Sequence, residues 1–140
     1  MRVIETKWVR SIKPAEKAQG DPAHKARLVA KGFQQVFGTN YFDIWAPTTS
    51  INTIRLLASL AASSHQLIYH FDVRTAFLNA PLKETNIYVE PPKGYFPPDQ
   101  VFHLHRALYG LKQSGREWYL TLSKVFIQLG FTQSKSEPCF

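Results

Sequence analysis

One carboxylate occupies a position suited to chemistry, within residues 71–79 (FDVRTAFLN). Asp72 follows an apolar run, residues 67–70 (LIYH), that predicts a short and largely buried strand. An ionised carboxylate at the end of such a strand needs a cation or hydrogen-bond donors, because its burial is otherwise costly. Two partners are open. Asp72 can cap a short helix over residues 74–78, or it can hold Mg²⁺, which proteins bind through one or two carboxylates together with substrate phosphates.

A row of cations is predicted along residues 25–33 (KARLVAKGF), where basic and apolar side chains alternate. Lys25, Arg27 and Lys31 fall on one face of the predicted strand, and small apolar side chains fall on the other. Such a row is either a solvated surface or a grip for phosphate. Arginine suits the second role, because its planar fork can bond two phosphate oxygens at once.

Further cations lie at the start of a predicted helix. Residues 114–117 (SGRE) fit a capping box, with Ser114 as the N-cap and Glu117 at the third helical position. The helix that follows has apolar residues at helical spacing and is predicted to end at Gly130. Lys112 and Arg116 lie at its start, where backbone N–H groups and the helix dipole favour anions. They are either chance surface cations or a phosphate contact.

Two histidines, His103 and His105, share one face of a strand predicted over residues 101–105. Such a pair can bind zinc, but no cysteine or third ligand lies near them in the sequence. The alternative is that both are ordinary polar positions on a strand.

Five motifs in fixed order resemble the reverse transcriptase of copia-type LTR retrotransposons. They are residues 25–33 (KARLVAKGF), 53–57 (TIRLL), 72–79 (DVRTAFLN), 87–92 (IYVEPP) and 108–113 (LYGLKQ). The resemblance extends from residue 7 to the end of the sequence, and five ordered motifs are far more specific than one. At residues 114–115 this sequence has Ser-Gly where the family often has Ala-Pro, which changes the helix cap and not the inferred chemistry.

The resemblance implies a site for nucleotidyl transfer, with an RNA template, a DNA primer and a dNTP as partners. Asp72 would be the catalytic carboxylate and the first metal ligand, because phosphoryl transfer of this kind uses two Mg²⁺ ions, about 3.5–4 Å apart. Nucleotide binding is implied for Lys25, Arg27, Arg74, Thr75, Ala76, Phe77 and Tyr109. Template and primer contacts are implied for Lys31, Gly110, Lys112 and Arg116. Phe77 would exclude a ribose 2′-hydroxyl, whereas without the resemblance plain core packing explains it.

The family supplies further metal ligands from a Tyr-Val-Asp-Asp box, and no Asp-Asp pair occurs in these 140 residues. The resemblance therefore predicts a fragment of the RNA-directed DNA polymerase of a Pol polyprotein, truncated before that box. We expect it to be inactive by itself and to bind Mg²⁺ weakly. One alternative is a non-catalytic basic module that binds nucleic acid. Another is a small metal-dependent phosphodiesterase around Asp72, which would need a second ligand cluster that the sequence does not show.

The elements that must position these residues are predicted in irregular order. Strands are expected over residues 6–12, 25–33, 67–73, 86–90 and 101–105, with a loop over 13–22 and a loop with aromatic anchors over 34–47. A mostly buried helix is expected over residues 50–63, with Thr49 or Ser50 as its N-cap. This order predicts an α+β fold with an antiparallel sheet and packed helices. That fits the fingers and part of the palm of a right-hand polymerase.

The resemblance implies one partial domain over residues 1–140, fingers-like over about 1–66 and partial palm and fingers over 67–140. Without the Asp-Asp hairpin, the strand over 67–73 should present an unpaired apolar edge, which favours self-association.

The composition fits an intracellular protein that binds a polyanion. The net charge is +7, distributed as +5 over residues 1–35, −1 over 36–100 and +3 over 101–140. Two basic flanks around a near-neutral centre suit a phosphate-binding cleft. A single cysteine, Cys139, suits a reducing compartment. No signal peptide is predicted, and the most apolar helical stretch, residues 54–62, is too short to span a bilayer. We therefore expect a protein of a cytoplasmic particle or the nucleus that is not secreted.

Overall fold

The computed structural model describes residues 3–14, 22–82, 86–97 and 99–139. Most of the loop predicted over residues 13–22 lies outside the described residues. The strands are β1 (Thr6–Lys13), β2 (Ala23–Ala30), β3 (Tyr88–Val89) and β4 (Phe102–His103). The helices are α1 (Ile51–Ser63) and α2 (Ser114–Gln128), and two 3-10 turns cover Gly32–Gln34 and Ala76–Asn79. Neither α1 nor α2 is long and apolar enough to cross a membrane.

Strands β1 and β2 form an antiparallel ladder, in register from Thr6 opposite Ala30 to Lys13 opposite Ala23. Opposite residues in such a ladder share a face. Arg27 therefore shares its face with Val9, and the predicted basic face of β2 also receives Lys7 and Lys13 from β1. The cationic row is thus wider than the sequence of β2 indicated.

The prediction that this strand continues to residue 33 is wrong, because β2 ends at Ala30 and a 3-10 turn covers Gly32–Gln34. Lys31 consequently lies between the strand and the turn. Its N–H still donates to the carbonyl of Glu5 at 2.8 Å, in the register of the ladder. Its carbonyl, however, accepts the Gln34 N–H at 2.9 Å, and this bond closes the turn that ends the strand.

A small core joins the beginning of the chain to the second sheet. Ile4 is held in this sheet by two hydrogen bonds, from its N–H to the Tyr88 carbonyl and from the Glu90 N–H to its own carbonyl, each 2.9 Å. The buried apolar cluster consists of Ile4, Ala30, Ile87, Val89 and Leu111. The strands predicted over 86–90 and 101–105 are present in shortened form, as the two-residue strands β3 and β4, which pair antiparallel.

Helix α2 ends as predicted but begins differently. At its end, Gly130 has a φ of 91°, the Phe131 N–H donates to the Phe126 carbonyl at 3.0 Å, and the two phenylalanine rings lie 5.4 Å apart. This is the Schellman arrangement that a glycine after the helix favours. The predicted capping box is wrong, because Ser114 is the first helical residue and its hydroxyl donates to the Leu108 carbonyl at 2.6 Å. A tertiary partner replaces the local one.

Helix α1 begins as predicted, since the Ser50 hydroxyl accepts the Thr53 N–H at 3.1 Å. The prediction that this helix is mostly buried is wrong. It has no buried residue, and Ile54 and Leu60 are each about half exposed. The apolar stripe is present in the sequence, but the described part of the chain supplies too little surface to cover it.

The predicted buried strand over residues 67–73 is also wrong. These residues are irregular, and Ile68 is 67% exposed and Phe71 68% exposed. A strand needs a neighbouring strand to satisfy its backbone groups, and none of the described strands pairs with this segment. The prediction that aromatic residues anchor the loop over residues 34–47 is wrong for three of them, because Phe37, Phe42 and Trp45 are mostly exposed.

Candidate nucleotide and nucleic-acid site

Two sequence motifs meet backbone to backbone at the end of β2. The Ala30 N–H donates to the Tyr109 carbonyl at 2.8 Å. A Cβ on Gly110, whose φ is 91°, would overlap the Ala30 carbonyl oxygen, and a Cβ on Gly32 would overlap the Gly110 carbonyl oxygen. Glycine is therefore required at both positions, for close approach at each and for the positive φ at Gly110. This junction fixes residues 108–113 against the strand that carries Arg27.

A buried network of amides continues the junction. Gln35 Nε2 donates to Gln113 Oε1 at 2.9 Å, and Gln113 Nε2 donates to the Asn40 carbonyl at 2.8 Å. Gln35 Oε1 accepts the backbone N–H of Lys112 at 2.7 Å. Gln35, Asn40 and Gln113 are all buried, so these bonds satisfy polar groups that water does not reach.

Phe77 lies against Tyr109, with ring centroids 4.8 Å apart. Phe77 belongs to the 3-10 turn Ala76–Asn79, which packs against α2. Thr75, which precedes this turn, has a φ of 49° and a ψ of 42°. That is an unusual conformation for a β-branched residue, and strain of this kind is concentrated at functional sites. The turn and residues 108–113 therefore form one continuous surface.

Lys31 is paired with an acid. Its ammonium forms an ion pair with the carboxylate of Glu5, which also accepts from Gln34 Nε2 at 2.8 Å. The hydrogen bonds from Lys31 and Gln34 hold the pKa of Glu5 below its ordinary value. A phosphate bound by Lys31 would have to compete with this carboxylate.

Arg116 and Lys112 have different partners. Arg116 Nη1 lies 3.1 Å from Asp43 Oδ2. The pKa of Asp43 is lowered mainly by a hydrogen bond from the Trp45 N–H and further by the charge of Arg116. Lys112 Nζ donates to the Tyr41 hydroxyl at 3.0 Å and lies 4.8 Å from the centre of the Tyr41 ring.

The whole of this geometry lies within one recognisable stretch of sequence. Residues 1–139 match the family described as reverse transcriptase (RNA-dependent DNA polymerase). The chain belongs to this reverse transcriptase family.

Relatives of this reverse transcriptase segment are the Pol polyproteins of copia-type transposons, as the sequence motifs predicted. The Pol polyprotein from transposon TNT 1-94 of Nicotiana tabacum is 37% identical over 99% of this chain and 10% of its own length. That from transposon RE1 of Arabidopsis thaliana is 37% identical over 81% of this chain and 8% of its own length. The Ty1-H Gag-Pol polyprotein of Saccharomyces cerevisiae is 35% identical over 85% of this chain and 7% of its own length. The chain therefore spans a tenth or less of these relatives. No solved structure gives a significant match.

The structure brings part of the predicted reverse transcriptase site together. Phe77, Tyr109, Gly110 and Lys112 lie on or beside the junction with β2. The side chains of Lys25, Arg27, Arg74 and Asp72 form no hydrogen bond or ion pair with it among the described residues. These assignments remain predictions, as do those for Thr75, Ala76, Lys31 and Arg116.

Asp72 is exposed and does not cap a helix. The residue before the 3-10 turn is Thr75, and no side chain caps that turn. The helix-cap interpretation is therefore wrong. Within the described ranges, no group of three or more His, Cys, Asp or Glu side chains could hold a metal ion. One exposed carboxylate does not make a site for two Mg²⁺ ions, so these residues alone do not fit the metal pair that the family implies.

The histidine pair fits no zinc site either. The rings of His103 and His105 lie 4.6 Å apart, and Tyr88 stacks on His103 at 4.8 Å. A structural zinc site needs four ligands, and the described residues supply no third one here. His103 is therefore a polar position on β4, whereas His105 lies two residues beyond that strand, in the same aromatic cluster.

Sequence reasoning did not assign to the site the residues that hold it together, namely Gln35, Asn40 and Tyr41. The sequence predicts Tyr41 only as an aromatic anchor of the loop over residues 34–47. Gln113 appeared only as the last letter of a family motif. The available signal was weak, because Gln and Asn are usually exposed and their pattern predicts no partner. A hydrogen bond across 78 residues of sequence, such as the one from Gln35 to Gln113, becomes visible only in the tertiary structure.

Proposed function

We propose that this chain is part of the RNA-directed DNA polymerase of a copia-type retrotransposon. It would supply nucleotide-binding and template-binding surface from the fingers and partial palm of a right-hand polymerase. The observation that carries the proposal is the junction at Gly110. There, motifs about 80 residues apart form one surface, with Phe77 against Tyr109 and Lys112 beside them.

The side chains support distinct roles on this surface. The unpaired cations of β2, Lys25 and Arg27, would bind triphosphate oxygens, since neither has a carboxylate partner among the described residues. Lys112 would contact a backbone phosphate of the template or primer. The Phe77 ring, restrained by Tyr109, would occupy the space that a ribose 2′-hydroxyl needs. In the intact polymerase Asp72 would be one Mg²⁺ ligand, and the remaining carboxylates would come from beyond the described residues.

Polymerase function can be tested in a complete retrotransposon element that carries this segment. Asp72→Asn should abolish complementary-DNA synthesis, because it removes a carboxylate charge without changing the size of the side chain. Asp99→Asn is the matched control, because Asp99 is also exposed and lies in no family motif. Synthesis that survives Asp72→Asn would refute the catalytic assignment.

A second function, a basic module that binds nucleic acid without chemistry, is favoured by one observation. Strands β1 and β2 carry five Lys or Arg residues and no acid, and their ladder places Lys7, Lys13, Lys25 and Arg27 on one face. If binding depends on these cations, log K for nucleic acid should fall linearly with log[salt]. Arg27→Ala should weaken binding equally for all sequences. Normal DNA synthesis with Asp72→Asn but not with Arg27→Ala would favour this second function.

A further inference from the structure

Residues 35–41 hold Lys112 at both of its ends. Gln35 Oε1 accepts the backbone N–H of Lys112, and the Tyr41 hydroxyl accepts from its ammonium. We propose that residues 35–41 are a positioning segment that fixes Lys112 for contact with a backbone phosphate of bound nucleic acid. The inference rests on the proposed function, because it concerns how the binding surface is kept in shape.

The buried end of the segment leaves Gln35 little freedom. Its side chain is 5% exposed and bonds Gln113 as well as Lys112. Asn40 completes the arrangement, since its carbonyl accepts from Gln113 and its Oδ1 accepts the Val36 N–H at 3.0 Å. Breaking one of these bonds leaves a buried polar group unsatisfied, which destabilises the arrangement. The Lys112 backbone is therefore locked relative to β2.

The exposed end orients the charge without neutralising it. An ammonium has three donors, and the Tyr41 hydroxyl uses one of them. Lys31 and Arg116 each form an ion pair, whereas Lys112 has no carboxylate partner in the described part of the chain. A phosphate would thus meet a cation that is already oriented and still has donors available. Pre-organisation of this kind reduces the entropy lost on binding.

The test is a double-mutant cycle on nucleic-acid binding by the 140-residue chain, measured by fluorescence anisotropy with a duplex over a range of salt concentrations. Lys112→Ala should make the negative slope of log K against log[salt] less steep by about 0.9, the contribution of one duplex phosphate contact. Gln35→Met, which keeps the size of the side chain and removes its hydrogen bonds, should make the slope less steep by a similar amount. In the Gln35→Met background, Lys112→Ala should then have no further effect.

The control is Gln128→Met, an exposed position at the end of α2, which should leave the Lys112 contribution intact. Amide hydrogen exchange gives a readout that does not depend on binding: Gln35→Met should accelerate exchange of the Lys112 N–H, and Gln128→Met should not. A full Lys112→Ala effect in the Gln35→Met background, or unchanged exchange at Lys112, would overturn the inference.

Tyr41→Phe provides a variant at the partly exposed end, in case Gln35→Met does not fold. It removes the hydroxyl and keeps the ring, so the Lys112→Ala effect should shrink without disappearing. An undiminished effect in this background overturns the inference. Failure of the wild-type chain to bind nucleic acid at low salt would refute the basic binding surface and this inference together, whereas binding with an unchanged Lys112 contribution would refute only the positioning segment.

Discussion

Apolar side chains are buried at the junction between β2 and residues 108–113, whereas they are exposed in α1 and residues 67–73. Leu111 and Ile87 are buried at the junction, whereas Leu60 is 50% exposed and Leu67 is 79% exposed. The hydrophobicity of these residues is similar. The difference is that the junction has complementary backbone contacts at Gly32 and Gly110 and a buried amide network, while the second region has no surface opposite it among the described residues. Apolar character alone does not produce burial.

The residues assigned to function are divided between these two regions. Phe77 and Lys112 are held by the junction, whereas Asp72 lies in the exposed region without a hydrogen bond or ion pair in the described part of the chain. The positions of the aromatic and basic residues therefore have a structural explanation. The catalytic assignment of Asp72 depends on the family alone. Exposed apolar surface of this extent also favours self-association of the isolated chain.

The largest effect is expected for Gly110→Ala, which would break the junction. The new Cβ would overlap the Ala30 carbonyl oxygen, and the φ of 91° disfavours any L side chain. We expect a loss of more than about 4 kcal/mol in the free energy of unfolding, enough to abolish cooperative folding of a small domain. Urea denaturation followed by circular dichroism measures it.

Gly94→Ala is the matched control for this substitution. Gly94 has a φ of 87° and nothing within 4 Å of the added Cβ. Gly94→Ala should therefore lower the free energy of unfolding only by the cost of a left-handed backbone conformation, about 1–2 kcal/mol. Equal losses for Gly94→Ala and Gly110→Ala would show that the close contact at Ala30 does not matter.

A smaller effect should separate the two regions directly. Leu111→Ala empties a buried position and should cost about 2–5 kcal/mol. Leu60→Ala removes the same atoms from a half-exposed position, so it should cost less than about 1 kcal/mol. The denaturation midpoints of the two variants provide the comparison. A larger loss for Leu60→Ala would mean that α1 is covered in solution.

A substitution at Phe77 tests whether the surface formed by Phe77 and Tyr109 is a nucleotide pocket. In a complete element, Phe77→Val should admit ribonucleotides, because the shorter side chain leaves room for a 2′-hydroxyl. Removal of a contact of this size shifts discrimination by about 1–3 kcal/mol, or roughly 10- to 200-fold. Single-nucleotide incorporation assays with dNTP and rNTP measure the ratio, with Phe96→Val as a control outside the site. An unchanged ratio would contradict the assignment of Phe77.

The smallest effect concerns the ion pair between Glu5 and Lys31 beside the junction. The pKa of Glu5 is lowered in the folded chain from its ordinary value of 4.5. The resulting stabilisation is therefore fully present above pH 4.5 and is lost as pH falls through the lower folded pKa. Because Glu5 and Lys31 are partly exposed, the effect should be small and reduced by salt. Glu5→Gln should remove this part of the pH dependence, and an identical pH profile for wild type and variant would contradict it.

The amino-acid sequence alone determined the family and those structural features that depend on near neighbours. Alternation along residues 25–33 predicted a strand, which is present as far as Ala30, Ser50 predicted the start of α1, and Gly130 predicted the end of α2. Each of these depends on hydrogen bonds or side-chain directions within a few residues. The five ordered motifs likewise identified the reverse transcriptase family without reference to the fold.

The tertiary structure decided what depends on distant partners. Ser114 is a residue type that often caps a helix, but its hydroxyl donates a hydrogen bond to the Leu108 carbonyl instead. The apolar stripe of α1 and residues 67–73 predicted burial that nothing in the described structure provides. Gln35 and Gln113 acquire their roles only because the glycine contact at Gly110 brings their segments together. A pattern specifies which face of an element is apolar or polar, but the surface that meets this face is supplied by residues far away in the chain.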